Sequence, residues 1–456
     1  PGWHTAGVAP DRSEGIAPPS GERYSTAYTR YALGLLCVVY VINFVDRQVL
    51  SILLQSIKDD LQLSDAQLGL LSGTAFGIFY ATLGIPIARL ADVFSRKWVI
   101  TVSLSLWSAA TVLCGTAASF GALLLYRIGV GVGEAGGSPP SHSLISDYYP
   151  PERRGTALGI FSLGVPLGVL VGLLAGGWLD EALGWRAAFL VVGLPGLALA
   201  VVVALTLREP PRGLADGSVA GEGDVSARDA IRFLWSLRSF RYTALGSAAY
   251  AFVGYSTVTW APSFLMRSHG MESGPVGTWL ALILGVGGAI GVTCGGVLSD
   301  RWAKRNPRGR VYVGALGVGL SLPFSIPVFL ADSPGVALAW LCVPSTLGMM
   351  YQGPAFALTQ TLATPKIRAT AAALLLFVIN IVGLACGPAL TGVLSDALEP
   401  RYGADSLAAA LLIVSFGLGI SAFLFWWASR SLEDDLETSR RASAREAAGG
   451  SILAAD

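Results

Sequence analysis

The sequence predicts an all-α integral membrane protein, with twelve transmembrane helices in two pseudo-symmetric six-helix bundles. The first observation is composition: 53% of the 456 residues are hydrophobic and only 13% are charged. Soluble domains carry about 25% charged residues, so a soluble enzyme is excluded. The net charge of +1 predicts no nucleic-acid partner.

The second observation is a series of apolar windows, each about as long as a membrane crossing requires. A helix needs about 20 apolar residues to cross the hydrocarbon core. The twelve windows are 31–56, 66–88, 98–118, 121–146, 155–179, 187–207, 242–266, 276–299, 311–330, 335–360, 369–395 and 405–428.

The third observation is the distribution of basic residues, which alternates between the connecting loops. The loops near residues 89–97, 153–154, 208–241, 301–310 and 366–368 carry most of the arginines and lysines. By the positive-inside rule these loops, and both termini, are expected in the cytoplasm. The predominance of Arg over Lys, with many Ala and Gly, predicts a bacterial inner (cell) membrane protein, expected to be a monomer.

The predicted domains follow from these windows. Residues 1–30 are expected to be a disordered tail, 31–207 the N-terminal bundle, 208–241 a cytoplasmic linker, 242–430 the C-terminal bundle and 431–456 a cytoplasmic tail. The second part of the linker, ARDAIRFLWSLRSFR, is basic and amphipathic. It is expected on the inner membrane surface, either as a lipid sensor or as an ordinary linker helix.

A short repeated motif supports the two-bundle architecture. A small residue stands two positions before a bulky one and four before an aspartate, at the ends of spans 2, 5, 8 and 11. The copies are Ala88-x-Leu90-x-Asp92, Gly176-x-Trp178-x-Asp180, Gly296-x-Leu298-x-Asp300 and Gly392-x-Leu394-x-Asp396. The loop charges place the first and third copies inside and the others outside, as inverted-topology repeats would.

Several motifs resemble the major facilitator superfamily over residues 31–430. The loop motifs are Asp92-x-x-Ser95-Arg96-Lys97 and Gly296-x-x-x-Asp300-Arg301-x-Ala303-Lys304-Arg305. Ala88, Ser95 and Ala303 stand where Gly is usual, and Val93 replaces a base. Span 4 carries Arg127-x-x-x-Gly131-x-Gly133, and span 5 resembles an antiporter-associated glycine pattern with Leu173 in place of Pro.

Within the superfamily, the chain most resembles the spinster lipid transporters. The motifs are Asn43-x-x-Asp46-Arg47, Gly133-Glu134-Ala135, Asp147-Tyr148-Tyr149-Pro150 with Arg153-Arg154-Gly155, and Trp185-Arg186 with Ala188-Phe189. The first motif is also similar to one in organic-anion symporters. The resemblance implies that spans 1 and 4 line a central cavity.

Four charged residues in spans 1 and 4 are candidate site residues, three for proton coupling and one, Arg47, for substrate binding. An ionised side chain at the bilayer centre costs about 2.5–3.5 kcal/mol or more, so Asp46 and Arg47 need protein or water around them. Asp46 and Glu134 are predicted proton sites, with Arg127 as the switching charge partner. Arg47 is left with three roles: pairing with Asp46, pairing with another span, or contacting substrate. A static network that fixes helix packing is the alternative.

The inner loops supply candidate gating residues. Asp92 with Arg96 and Lys97, and Asp300 with Arg301, Lys304 and Arg305, are expected to form ion pairs that brace an outward-facing state. The alternative is that they only determine topology. His142, near the inner end of span 4, is either a proton relay or a packing residue.

The predicted function is proton-coupled transport of an amphiphilic lipid by alternating access. The resemblance implies a lysophospholipid or a phosphorylated sphingoid base. Candidate substrate-binding residues besides Arg47 are Tyr40, Asn43, Phe44, Tyr250, Tyr255, Trp260, Tyr351, Gln352 and Asn380, although packing is an alternative for each aromatic. A symporter of small organic anions is the second hypothesis, and a membrane enzyme or receptor the third. Without a Walker motif, metal-ligand cluster or nucleophile motif, neither enzyme chemistry nor a cofactor is expected.

Overall fold

A computed structural model describes residues 24–211 and 225–447. Within these ranges the regular elements are helices, and none of the described residues forms a β-strand. The predicted tail 1–30 lies largely outside the described residues, as does the part of the linker from 212 to 224. The predicted domain boundaries stay predictions.

The N-terminal half contains eight α-helices, one of them continued by a π-helical segment. They are α1 Thr26–Leu61, α2 Asp65–Gly69 with the π segment Leu70–Thr74, α3 Ala75–Val93, α4 Arg96–Cys114, α5 Phe120–Glu134, α6 Ser138–Tyr148, α7 Pro151–Ser162 and α8 Gly164–Thr206. Within α8, Gly184 has φ +81°, a left-handed conformation that glycine adopts readily, and it separates predicted spans 5 and 6.

The C-terminal half begins with the linker helix α9 and ends with α20. The α-helices are α9 Ala227–Ser236, α10 Arg238–His269, α11 Ser273–Leu280, α12 Gly287–Ala303, α13 Gly309–Phe329, α14 Pro334–Gly348, α15 Gln352–Leu362, α16 Arg368–Ile379, α17 Gly387–Tyr402, α18 Ser406–Ser415, α19 Gly417–Ala428 and α20 Leu432–Ala447. Short π segments, Ala281–Val286 and Asn380–Cys386, and 3₁₀ segments, Met349–Tyr351, Pro365–Ile367 and Gly403–Asp405, join some of them.

Eight helical stretches of the described residues are long and apolar enough to cross a membrane. Two of them, Glu152–Thr206 and Pro365–Ala428, have 55 and 64 residues and each covers two predicted spans. The eight stretches therefore contain ten of the twelve predicted spans. The other two are the broken pair α5 and α6, and α10, which is rich in Ser, Thr and Tyr.

Glycines bring α8 close to α1. A Cβ atom added at Gly168 would lie 2.3 Å from Cβ of Phe44, and one added at Gly176 would lie 2.7 Å from Cγ2 of Ile52. Between these two positions, Gly172 faces Gln48 in the same way. Small residues allow such close helix contact, so the glycine pattern of span 5 forms the surface on which span 1 packs.

The two halves meet tightly at one end of the molecule, called here the closed end, where Asp65, Asp180, Arg267 and Asp396 lie. A Cβ added at Gly277 of α11 would lie 2.3 Å from the carbonyl oxygen of Leu173 in α8. The second crossing, between α2 and α17, has the same design: a Cβ added at Gly392 would lie 2.1 Å from the carbonyl oxygen of Asp65. Both crossings therefore require glycine.

Candidate functional site

A buried ion pair joins α1 to α5 inside the N-terminal half. Nε of Arg47 donates to Oε2 of Glu134 over 2.6 Å. The Glu134 side chain has no exposed surface, and that of Arg47 is 13% exposed. A buried charge needs a partner of opposite charge to offset its lost hydration. Arg47 and Glu134 are such partners for each other. Three roles were left open for Arg47, and in this conformation it pairs with a residue of another span.

Aromatic rings surround the Arg47 guanidinium. Its central carbon lies 4.8 Å from the ring centre of Phe44, 4.9 Å from that of Phe76 and 4.4 Å from that of Tyr80. Each distance is within the range of a cation–π interaction. Phe44 was a predicted site residue. Phe76 and Tyr80 were not, because nothing in their own sequence neighbourhood marks them as partners of a residue about 30 positions away.

Asp46 is fully buried, and neither of its carboxylate oxygens has a hydrogen-bond partner. Thr111 of α4, Arg127 and Glu134 are the polar groups around it. The Thr111 hydroxyl and Nε of Arg127 are themselves buried without partners. An ionised carboxylate in such a place is costly unless it is paired or hydrogen-bonded, so this site favours a neutral Asp46 or a rearranged neighbour.

Arg127 and Glu134 lie on one helix, as the spacing predicts, but they are not an ion pair in this conformation. The Arg127 guanidinium lies 5.4 Å from the Phe76 ring centre, and Glu134 is held by Arg47. Oε1 of Glu134 is buried without a partner. The two carboxylates and two guanidiniums are thus brought together, with hydrogen-bonding groups left unused around them.

The candidate substrate residues fall into two groups. On α1, Tyr40 stacks on Phe161 with ring centres 4.4 Å apart, and Asn43 is buried beside Glu134. In the C-terminal half, Tyr250 and Tyr351 are buried with ring centres 4.5 Å apart.

Three further candidates are partly accessible and one is not. Tyr255, Gln352 and Asn380 are half-buried. Trp260 has no exposed surface, and its Nε1 donates to the carbonyl oxygen of Pro388 over 2.9 Å. In this conformation Trp260 is a packing residue at the closed end.

Asp65, at the start of α2, is the centre of a polar network at the closed end. Its carboxylate accepts hydrogen bonds from Arg267 (2.6 and 2.7 Å), Lys58 (2.6 Å) and Ser395 (2.6 Å). Arg267 also donates to the side chain of Gln55. Because Arg267 and Ser395 belong to the C-terminal half, this network fastens the halves together. The sequence alone predicted no role for Asp65 or Arg267.

Carboxylates on one half cap helices of the other half. The two oxygens of Asp396 accept the backbone N–H groups of Asp65 (2.9 Å) and Ala66 (2.8 Å). At the related crossing, Oε2 of Glu181 accepts the N–H of Gly274 over 3.0 Å. Carboxylates stabilise helix N-termini because they satisfy free N–H groups and complement the helix dipole. The repeated Asp396 motif thus has a structural use.

Arg96 is the predicted gating residue whose partners are clearest. It is 1% exposed, pairs with Asp147, and donates from Nε to Oε1 of Glu209 over 2.8 Å. Its terminal nitrogen NH2 also donates to the carbonyl oxygen of Pro210. Arg96 therefore fixes the start of the linker to α4. Lys97 donates its backbone N–H to Glu209.

Four of the other gating residues, all near the end of α12, form no ion pair with a described residue. The side chain of Asp92 lies outside the described residues. Asp300, Arg301, Lys304 and Arg305 are exposed, and none of the four has an ion pair with a described residue. Their gating role stays a prediction, because the closed end lies at the opposite side of the bundle. His142 contacts the carbonyl oxygen of Ser138 through Nδ1 and the ring of Phe161.

Comparisons with known proteins agree with this architecture. The family model of the Major Facilitator Superfamily matches residues 36–388. An MFS-type efflux pump of Mycolicibacterium smegmatis is 35% identical, over 89% of this chain and 94% of its own length. The sphingosine-1-phosphate transporter of Danio rerio is 27% identical (89% and 86%), and the hexuronate transporter of Bacillus subtilis is 29% identical (82% and 89%).

A solved bacterial structure is similar over nearly its whole length. It is a bacterial homologue of the human lysosomal transporter spinster, in an inward-facing, unoccupied conformation. The TM-score is 0.82 at 32% identity, covering 90% of this chain and 99% of that one. The chain therefore belongs to the major facilitator superfamily of membrane transporters, among the relatives of spinster.

Proposed function

We propose that this protein is a proton-coupled transporter of an anionic amphiphilic lipid, of the lysophospholipid or sphingoid-phosphate type, working by alternating access. The observation that carries the proposal is the buried cluster of Asp46, Arg47, Arg127 and Glu134, in which Asp46 is fully buried and forms no ion pair with a described residue. In this account, the closed end faces the outside, and the opposite end of the two bundles opens toward the cytoplasm.

Proton coupling is supported by the competition between the four charged groups. Glu134 holds Arg47 in this conformation. A substrate phosphate that takes Arg47 bidentately would leave Glu134 buried without its partner. A buried carboxylate that loses its cation avoids the cost by taking up a proton. Substrate binding and protonation are thereby linked through one arginine.

The lipid class is supported by the surroundings of Arg47 and by one relative. The rings of Phe44, Phe76 and Tyr80 form an apolar wall beside the guanidinium. An apolar wall of this kind beside a guanidinium suits an ionic head attached to an acyl tail. The sphingosine-1-phosphate transporter of Danio rerio is a relative over most of its length, which favours a phosphate-bearing lipid.

A small organic anion is the second candidate substrate. Arg47 can bind a carboxylate as well as a phosphate, and the hexuronate transporter of Bacillus subtilis is similarly related. With this substrate, Arg47 and Arg127 would both contact the anion.

The experiment is uptake into proteoliposomes, with and without an imposed pH gradient. Radiolabelled lysophosphatidylglycerol and sphingosine 1-phosphate are compared with labelled glucuronate, using protein-free liposomes as the control. Protein-dependent lipid uptake stimulated by the gradient supports the proposal. Glucuronate uptake without lipid uptake supports the second candidate. Lipid uptake with no response to the gradient would contradict the coupling.

A further inference from the structure

The linker helix α9 has two opposite faces, and the protein covers only one of them. Ala230, Phe233 and Leu234 are buried and form part of the hydrophobic core of the C-terminal half. Residues 228, 231, 232 and 235 lie on the other side of the helix, since a turn contains 3.6 residues. This uncovered face of α9 is called the outer face below.

The outer face combines two arginines with two apolar side chains. Arg228 and Arg232 are one helical turn apart and both are exposed. Ile231 is 43% exposed, and Trp235 is half-buried. Together with Ser236 these residues line a shallow depression. An exposed Ile and a half-buried Trp beside two cations are typical of helices that lie in the membrane interface.

Neighbouring residues place α9 at the level of the lipid head groups. Helix α10 begins at Arg238, directly after α9. Tyr242 of α10 contacts Trp427 of α19, with ring centres 6.5 Å apart. The Arg430 guanidinium lies 4.3 Å from the Trp426 ring. Tyrosine and tryptophan concentrate where the hydrocarbon core meets the head groups, so the outer face of α9 starts at that boundary.

We propose that the outer face of α9 is a binding site for the phosphodiester head group of an anionic phospholipid of the surrounding leaflet. Arg228 and Arg232 bind the phosphate oxygens, because guanidinium matches phosphate geometry. Ile231 and Trp235 enter the region between head group and acyl chain. Because Arg228 and Arg232 are positively charged, an anionic phospholipid should bind here in preference to a neutral phospholipid.

A different occupant is available within the chain. Asp216, Glu222 and Asp224 precede α9 in sequence and lie outside the described residues. They have the charge needed to cover Arg228 and Arg232. The experiment therefore has to separate the linker from the lipid.

Native mass spectrometry of the full chain measures the binding. The protein is equilibrated with equal amounts of phosphatidylglycerol and phosphatidylcholine, and the ratio of the two bound lipids is determined. A basic residue near an anionic surface contributes about 1 kcal/mol, which corresponds to about fivefold in binding for each arginine. R228Q/R232Q is expected to lower the preference for phosphatidylglycerol by more than tenfold, while R228K/R232K retains most of it.

The matched control removes two exposed arginines elsewhere. R153Q/R440Q changes the net charge equally and leaves α9 intact, and it is expected to leave the lipid preference unchanged. Equal losses in the two double variants would overturn the proposal, since the effect would then come from net charge. A preference that appears only in D216N/E222Q/D224N would also overturn it, because the linker would then occupy the outer face.

Discussion

Arg47 donates to Glu134 over 2.6 Å, and this pair joins α1 to α5 in the part of the N-terminal half that also holds Asp46. Arg47 follows Asp46 directly in sequence, but it pairs with Glu134, which is 87 positions further along the chain. Asp46 is left without a hydrogen bond. Because Arg47 is the ion-pair partner of Glu134, we expect the charge state of Glu134 to depend on the position of Arg47.

The first prediction concerns the stability of this pair. Arg47→Gln leaves Glu134 buried without its cation, which costs about 3–5 kcal/mol if Glu134 stays ionised and less if it takes up a proton. Glu134→Gln leaves Arg47 with its aromatic neighbours and a route to solvent, so it should cost less. The double variant should recover stability relative to Arg47→Gln. Thermal unfolding of the detergent-solubilised proteins measures the effect, and equal melting temperatures for Arg47→Gln and Arg153→Gln would contradict it.

Thr111 is predicted to position Asp46. Its hydroxyl is buried without a partner beside a carboxylate in the same condition, so a small change or one water molecule would connect them. Thr111→Val keeps the shape and removes the hydroxyl. We expect it to shift the pH at which flux is half-maximal, while Thr111→Ser retains the wild-type profile. Identical pH profiles for Thr111→Val and the wild type would show that Thr111 only packs.

Glycine at the α8–α11 crossing is predicted to be required for the closed end to form. The alanine Cβ of Gly277→Ala would lie 2.3 Å from the Leu173 carbonyl oxygen, whereas Gly34 has open space around it. Spin labels at positions 59 and 272, in a cysteine-free background, report the separation of the halves by pulsed electron resonance. Gly277→Ala should lengthen that distance and Gly34→Ala should not. A change in both, or in neither, would contradict the role of the crossing.

Glu209 is predicted to stabilise the N-terminus of α4 at neutral pH. Burial raises the pKa of Glu209, but hydrogen bonds from the Lys97 N–H, Arg96 and Ser95 outweigh it, so the pKa lies below its usual value of 4.5. A lowered pKa in the folded state means that the stabilisation is present above about pH 4.5 and is lost as the pH falls through the lowered value.

Glu209→Gln tests this contribution. Loss of a helix cap costs about 1 kcal/mol, so the variant should melt at a lower temperature at pH 7. The difference from the wild type should shrink as the pH falls below 4.5. A difference that stays constant with pH would show that the charge of Glu209 is irrelevant.

The fold could be predicted from sequence because hydrophobic length and loop charge are local properties. The repeated motif that ends in Asp180 and Asp396 also revealed the symmetry of the halves. Asp396 caps α2 from the opposite half, a partnership that needs the tertiary structure. The motif predicted that Asp180 and Asp396 occupy equivalent positions in the two halves, but it did not predict that Asp396 contacts α2.

The site was predictable in its charged members and in Asn43 and Phe44, which share a span with Asp46 and Arg47. Asp46, Arg47, Arg127 and Glu134 stand out because charge is costly in an apolar span. Phe76, Tyr80 and Thr111 are ordinary residues of membrane helices, so their sequence context carries no signal. Trp260 was a reasonable candidate by type, but in this structure it is fully buried at the closed end. Pairing between spans depends on helix rotation, which hydrophobic windows do not determine.

If substrate and proton are transported together, substrate addition alone must move protons across the membrane. Proteoliposomes are loaded with a fluorescent pH indicator, and the lipid found to be transported is added without any imposed gradient. The account predicts a substrate-dependent pH change that is abolished by Asp46→Asn or Glu134→Gln in folded, monodisperse protein. Lipid transport with no accompanying pH change, or an undiminished change in both variants, would contradict it.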